Sequence, residues 1–571
     1  MVKIARAGVV PVVAAGILLS AGLEAQVVER LSVDSDEHET TGASWVPQST
    51  RVVSADGRFV VFSSNAADLV ADDGNGLEDV FLRDRELGTT VRISVNSSDG
   101  GDANGASHTP SMSADGRFIA FASLASDLVD GDGNGYLDIY VYDRVADEMA
   151  RASSAASIGE TDGDSKDPFF DDNGRYVVFN STATNLVPEG ANTNEDIYLY
   201  DVLLDEITKV SERPGPVRSE GYSRLPAISA DGRHVVFSSR DTELVPEDTN
   251  GTQDVFVKNL QTGAIERVSV SSGGAESDGW NGEAVISSDG AVVAWWSNAT
   301  NLVVGDDNAQ TDIFVRDRAA GTTTRVNVSS AGEQAIGAGS WHVTITDDGR
   351  FVVFLSDASN LADGDVNGTG DVFSHDRLTG ITRLHSLTPA GLGGNDYSRR
   401  PSVTGDGLYI VFESGATDLV ANDGNAEQDV FFAWGPAMVM EDGFESAGCS
   451  RWSAEVGSCD PDGTYDGEPT ISYQCAAGLI TATASEYAFT DHGATIDAGN
   501  GLPVSLLGSP SFCSNGSFSN TGIVEGQCAQ TYTLEGVFTS ADTWEGTFSI
   551  TFSGALCLDC TNQLFQVTGT R

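Results

Sequence analysis

The chain is short of lysine. Lys3, Lys166, Lys209 and Lys258 are the only four, and 84 acidic residues stand against 31 basic ones, for a formal net charge of −53. Such a surface repels phosphate backbones and anionic membranes, so nucleic acid is excluded as a partner. It suits life in salt, or the binding of cations. Cysteine is missing until Cys449, so the long first part of the chain has no disulfide or thiolate chemistry to call on. No stretch after the first 25 residues is apolar enough to insert into a membrane. A 3.6-residue apolar period is also lacking. What remains is short alternating apolar runs punctuated by abundant glycine, which predicts an all-β protein.

The runs repeat. Turn glycines fall at 57, 116, 174, 232, 290, 349 and 407, spaced by 58 or 59 residues. Six follow Asp, and Gly174 follows Asn173, which tolerates a positive φ equally well. Each copy reads as four strands, A to D. In the fourth copy these are Pro226 to Ser229, Arg233 to Ser239, Asp254 to Lys258 and Ala264 to Val270. Seven copies of a four-stranded unit predict a seven-bladed β-propeller over residues 26–436. The seventh copy stops at Trp434 without a strand D. Val27 to Val33 matches the D strands elsewhere, so the N-terminal strand is expected to complete the last blade and close the ring.

The ADGR(F/H)(V/I)xF and D(V/I)(F/Y)xxDR segments resemble TolB-like propeller repeats. They are especially similar to an exported bacterial variety in which LV-x-x-D-x-N-G-x-x-DVFVRDR recurs. The resemblance covers the propeller and implies its fold. Such propellers act as binding platforms, enzyme gates and lyases alike, so it does not imply one function. The N-terminal α/β domain of TolB itself has no counterpart here.

An acidic loop precedes strand C in every copy. Asp opens the strand (79, 138, 196, 254, 312, 371, 429), with Asn four residues earlier in all seven and Asp six residues earlier in all but the third. Copies two and six are richest, with Asp130, Asp132, Asn134 and Asp138, and with Asp363, Asp365, Asn367 and Asp371. Oxygen ligands at alternate positions of a tight Gly-containing loop can wrap a structural Ca2+. The spacing resembles the calcium loops of integrin α-chain propellers. The alternative is that Asp and Asn cap the loop backbone.

The loops leading into strand A open on the same face as the acidic loops and ring the channel mouth. Counting two residues back from the Pro of strand A, or its equivalent, gives Ser49, His108, Lys166, Arg224, Gly282, Trp341 and Arg399. Arg400, Tyr222, Trp280, His342 and Tyr397 lie close by. Basic and aromatic side chains converging on a funnel suit a small anion or an acidic sugar. The alternative is that the cations neutralise acids on the same loops.

No nucleophile elbow, no sialidase Asp-box and no three-histidine metal site is present, so no catalytic residue is assigned. Met1 to Ala25 has the basic start, apolar core and small residues of a signal peptide. The chain is therefore expected to be exported, secreted or periplasmic in a bacterium, and monomeric. A linker is expected at 437–458. From 459 to 571, strand-like runs and clustered cysteines predict a small disulfide-stabilised β-sandwich or barrel. The function expected is a non-enzymatic protein that binds a partner protein or an acidic glycan on the B–C and D–A loop face. The alternative is a polysaccharide lyase or glycoside hydrolase with its site in the central funnel.

Overall fold

The computed structural model describes residues 28–154, 160–187, 194–212 and 221–436, together with the backbone of eight strands between 463 and 570. The expected signal peptide, the linker expected at 437–458 and all seven cysteines lie outside these residues, so the disulfide expectation does too. The chain forms two units, Met1–Gly435 and Pro436–Arg571.

The first unit is a seven-bladed propeller of four-stranded antiparallel sheets. In blade 2, strands A to D are Ser107–Met112, Phe118–Ser123, Asp138–Asp143 and Glu148–Arg151. Blade 7 takes A to C from Ser398–Val403, Tyr409–Ser414 and Asp429–Trp434. Its fourth strand is Glu29–Arg30, paired antiparallel with Phe432 and Phe431. The N-terminal strand therefore closes the ring. It also covers the open edge that strand C of blade 7 would otherwise present.

Strands B and C are buried on both faces, which is why they read as nearly continuous apolar runs. Each blade stacks one aromatic from B on one from C. The pairs are Phe62–Phe81, Phe121–Tyr140, Phe179–Tyr198, Phe237–Phe256, Trp295–Phe314, Phe354–Phe373 and Phe412–Phe431, with centroids 5.9 to 6.2 Å apart. Burying each ring contributes about 2–3 kcal/mol.

The A–B turn builds the joint between blades. Gly57 has φ of 70°, and a Cβ there would stand 2.6 Å from the Tyr409 ring of blade 7. Only glycine satisfies both demands. The Asp56 carboxylate accepts from the Ser54 hydroxyl at 2.6 Å and the Arg58 N–H at 3.0 Å. Arg58 in turn forks onto Asp84, at the end of strand C, at 2.9 and 2.8 Å. The same fork recurs as Arg117–Asp143, Arg175–Asp201 and Arg350–Asp376. The Arg of the ADGR turn and the Asp that closes strand C are thus two halves of one brace.

Strand A begins earlier than the sequence indicates. Its prolines lie mid-strand, at a bulge. In blade 2 the pairing skips from His108 to Ser111, and Thr109 between them has φ of 51°. Proline has no N–H to donate, so it fits where the ladder is interrupted. Blade 1 departs further. Its strand A, Ser44–Trp45, pairs with Ser64 and Ser63, which gives Trp45 the place held by His108 in blade 2. Ser49 is not part of that ring; it lies in an insertion into the channel.

The second unit is an antiparallel closed barrel of Gly463–Gln474, Thr481–Thr490, Gly493–Asp497, Pro503–Leu507, Ser517–Val524, Ala529–Ser540, Thr543–Ser553 and Gln563–Thr570. Pairing of the first strand with the last closes it.

Candidate functional site

Two groups of side chains share the B–C and D–A loop face: the acidic loops and the residues around the channel mouth.

In the acidic loops, the Asn caps the backbone. Asn134 Oδ1 accepts the Tyr136 N–H at 2.8 Å, and its amide donates to Asp138 Oδ2 at 3.0 Å. Asn75, Asn250, Asn308, Asn367 and Asn425 do the same for the residue two further on and for the Asp of strand C. The two carboxylates are turned toward a basic residue of strand D. Cross-strand register places that residue opposite the strand C aromatic, as in Phe81–Arg92 and Tyr140–Arg151.

The expected calcium loop of blade 2 therefore holds a guanidinium. Arg151 Nη1 lies 2.9 Å from Asp132, 3.6 Å from Asp138 and 3.1 Å from Glu160, and the Tyr140 hydroxyl also donates to Asp132. Asp130 stands outside on the exposed loop. Arg92, Arg267, Arg325 and Arg30 fill the same position in blades 1, 4, 5 and 7. Across these five blades the arginine is 2.9 to 3.4 Å from the loop Asp and 3.2 to 3.6 Å from the strand C Asp. Glu39, Asp423 and Asp429 of blade 7 are close enough together to share an ion, but Arg30 reaches all three. Blade 3 uses Lys209, 2.6 Å from Asp196.

Blade 6 differs. Leu384 stands opposite Phe373, where six blades have Arg or Lys. Asp365 is 9% exposed, and both of its carboxylate oxygens are buried without a hydrogen-bond partner among the described residues. Asp371 is fully buried, bonded to Ser386 at 2.5 Å and Asn367 at 2.8 Å. Burial, with the charges of Asp365 and Asp357 adding to it, pushes Asp371 up to about 7 against those two bonds. Asp363 is exposed.

At the mouth, most of the expected cations are neutralised locally. Lys166 meets Glu195 at 2.9 Å. Arg399 and Arg400 share the fully buried Glu413, at 2.7 and 3.4 Å. His108 is half-buried on strand A of blade 2, and Trp341 packs against Gly339 on that of blade 6. The partners are not the acids of the same loops that sequence pointed to. They come from strand B (Glu413) and from the end of an acidic loop (Glu195).

Arg224 is an exception. Its guanidinium lies 4.6 Å from the Tyr222 ring, and among the described residues it has no carboxylate partner. Arg240, which the sequence reading passed over, lies 5.7 Å from the same ring and 5.0 Å from Trp280, again with no carboxylate partner among the described residues. Arg240 is exposed and Trp280 is 42% exposed. Arg224, Tyr222, Arg240 and Trp280 thus alternate cation and ring across the rim of blades 4 and 5. Arg240 could have been found: its counterparts are Asn65, Leu124, Thr182, Asn298, Asp357 and Gly415, none of them basic.

The channel is bridged from one side to the other. The blade 1 insertion crosses it, and the Ser49 hydroxyl bonds Glu283 Oε1 at 2.9 Å and the Val343 carbonyl at 2.8 Å. His342 Nδ1 lies 3.2 Å from the same Glu283 oxygen. The cavity left beside it, lined by Ser49, Thr109, Asp167, Leu225, Glu283 and Arg400 among others, has a volume of about 220 Å3.

No family model matches the chain, and no curated protein matches it. Solved structures do. The chain is similar to putative TolB from Agrobacterium tumefaciens at 14% identity, covering 58% of this chain and 91% of that one, with a TM-score of 0.32. It is also similar to a prolyl endopeptidase at 12% identity, covering 81% of this chain and 55% of that one, with a TM-score of 0.41. The chain spans about half the length of that enzyme. The tricorn protease is similar at 14% identity, with 90% and 48% covered and a TM-score of 0.23. The blade count rests on the strand pairing described above.

Proposed function

We propose that this chain is an exported binding protein that holds an acidic polysaccharide on the blade 4–blade 5 rim. The observation that carries the reading is the alternation of Arg224, Tyr222, Arg240 and Trp280. In a chain with net charge −53, two guanidinium groups with neither a carboxylate nor a carbonyl partner among the described residues are a local exception. Their stacking on aromatic faces holds them ready for carboxylates, while the exposed indole offers a platform for a sugar ring. The central funnel supports a ligand less well. The cavity beside the Ser49 bridge, at about 220 Å3, is below the roughly 300–1,000 Å3 common for small-molecule sites.

Retention on immobilised polygalacturonate and alginate tests the reading. Arg240→Ala and Trp280→Ala should each weaken retention by about tenfold, and added salt should weaken it further. A wild type that binds neither polymer refutes the proposal, as do variants that bind as well as the wild type. Release of unsaturated ends from the same polymers would move the protein to the lyase alternative.

A further inference from the structure

We infer that blade 6 binds one metal cation, of the hard divalent class represented by Ca2+, between Asp365 and Asp371. The inference starts from a comparison within the molecule. In five blades, one geometry puts two inward carboxylates around an arginine of strand D. Blade 6 keeps both carboxylates and loses the cation, because strand D presents Leu384.

The third acid of the pocket is lost with it. Asp102, Glu160, Glu276 and Glu39 contact the arginine in blades 1, 2, 4 and 7. The isolated bridge that carries Asp102, Glu276 and Glu39 carries Gly393 in blade 6. A side chain there would begin 3.2 Å from both Asp371 Oδ2 and the Asn367 amide, so its absence leaves the space beside the carboxylate open.

Asp365 is the second, independent pointer. Both of its oxygens are buried and without a hydrogen-bond partner among the described residues, and the side chain lies within electrostatic reach of Asp371. Leaving two ionised carboxylates buried and uncompensated is strongly unfavourable. The other blades meet that demand with a positive charge. In blade 6 strand D supplies no charge at this position, so the demand is met by a proton or by a cation from outside the chain, and carboxylate oxygens select a hard cation. Asn367 is not required as a ligand: its carbonyl oxygen already accepts the Thr369 N–H at 2.9 Å. Asp363, exposed at the mouth of the loop, attracts the ion without holding it.

The test uses the whole chain stripped with chelator and titrated with CaCl2 by calorimetry, alongside thermal melting. The wild type is expected to bind one Ca2+ at this site and to melt higher when it is bound. Asp365→Asn should weaken that binding by more than about 100-fold. Leu384→Arg should remove it and make melting indifferent to Ca2+, because the guanidinium takes the ion's place. Asp132→Asn in blade 2, whose partner is Arg151, should leave Ca2+ affinity unchanged. The inference is overturned if the wild type gives neither heat nor a melting shift. It is equally overturned if Asp365→Asn binds as tightly as the wild type, which would assign the ion to the acidic surface. Arg240→Ala should bind Ca2+ normally, so this site and the polysaccharide rim stand or fall separately.

Discussion

Replacing Arg267 by leucine would give blade 4 the strand D residue that blade 6 already has, and the cost can be worked from the contacts. Arg267 Nη1 lies 3.0 Å from Asp248, 3.6 Å from Asp254 and 2.6 Å from Glu276. The two aspartates are almost wholly buried. Removing one partner of a buried ion pair costs about 3–5 kcal/mol, because the other charge is left without compensation. Glu276 is part-exposed and adds little. The expected loss is a large share of the roughly 5–15 kcal/mol that holds a typical fold together. The pH dependence gives a second readout. Burial, then the charge of Asp254, pushes Asp248 up from its ordinary 3.8 to about 6 even with Arg267 present. An acid whose folded pKa is raised binds its proton more tightly in the folded state. Stability therefore falls as pH rises through the window from 3.8 to about 6. Without the guanidinium that window extends upward, so the penalty in Arg267→Leu should be largest near pH 8 and shrink toward pH 4. Urea unfolding followed by tryptophan fluorescence at several pH values measures it. A variant within about 0.5 kcal/mol of the wild type at pH 8 would refute the reasoning. So would a penalty that grows on acidification.

Two further outcomes follow from buried groups elsewhere in the propeller. His385 is fully buried, bonded to the Ser374 hydroxyl at 2.7 Å and near the Trp434 carbonyl, and burial pushes it down from 6.5 to about 4. Its contribution is fully present above pH 6.5 and is lost as pH falls toward 4, opposite in sign to that of Asp248. His385→Leu should therefore lower the slope of stability against pH in that window by up to about 1.4 kcal/mol per pH unit, and an unchanged slope in urea titrations would count against it. Ser49→Ala removes the hydroxyl whose single proton is shared between Glu283 Oε1 and the Val343 carbonyl, so a loss of about 1–2 kcal/mol is expected in the same assay.

The propeller was legible in the sequence because its determinants are local. Short apolar runs in B and C, and a glycine at positive φ between A and B, lie within a dozen residues of each other and recur in phase. The closing strand was legible too, because Val27 to Val33 carries the D-strand pattern out of its usual order. The channel was misread for a related reason. The blade 1 insertion displaces Ser49 from the ring, and a count from a fixed position cannot see a loop that leaves the sheet.

The acidic loops show where reading one stretch at a time runs out. Alternating Asp, Asn and Gly within nine residues look like a complete ligand set. Yet the group that decides their chemistry sits on the next strand but one in sequence terms, past a turn, and only cross-strand register brings it in. Phe81 opposite Arg92 and Phe373 opposite Leu384 are the same place in two blades. Aligned down the seven copies, that place reads Arg, Arg, Lys, Arg, Arg, Leu, Arg. The Asp-rich pattern is shared by blades 2 and 6 and cannot tell them apart. The single Leu can, because it removes a charge without removing the acids that required it. In a repeat whose backbone is held constant, residues kept in every copy mark what the fold needs. A residue changed in one copy, with its former partners left in place, marks where something other than the fold acts.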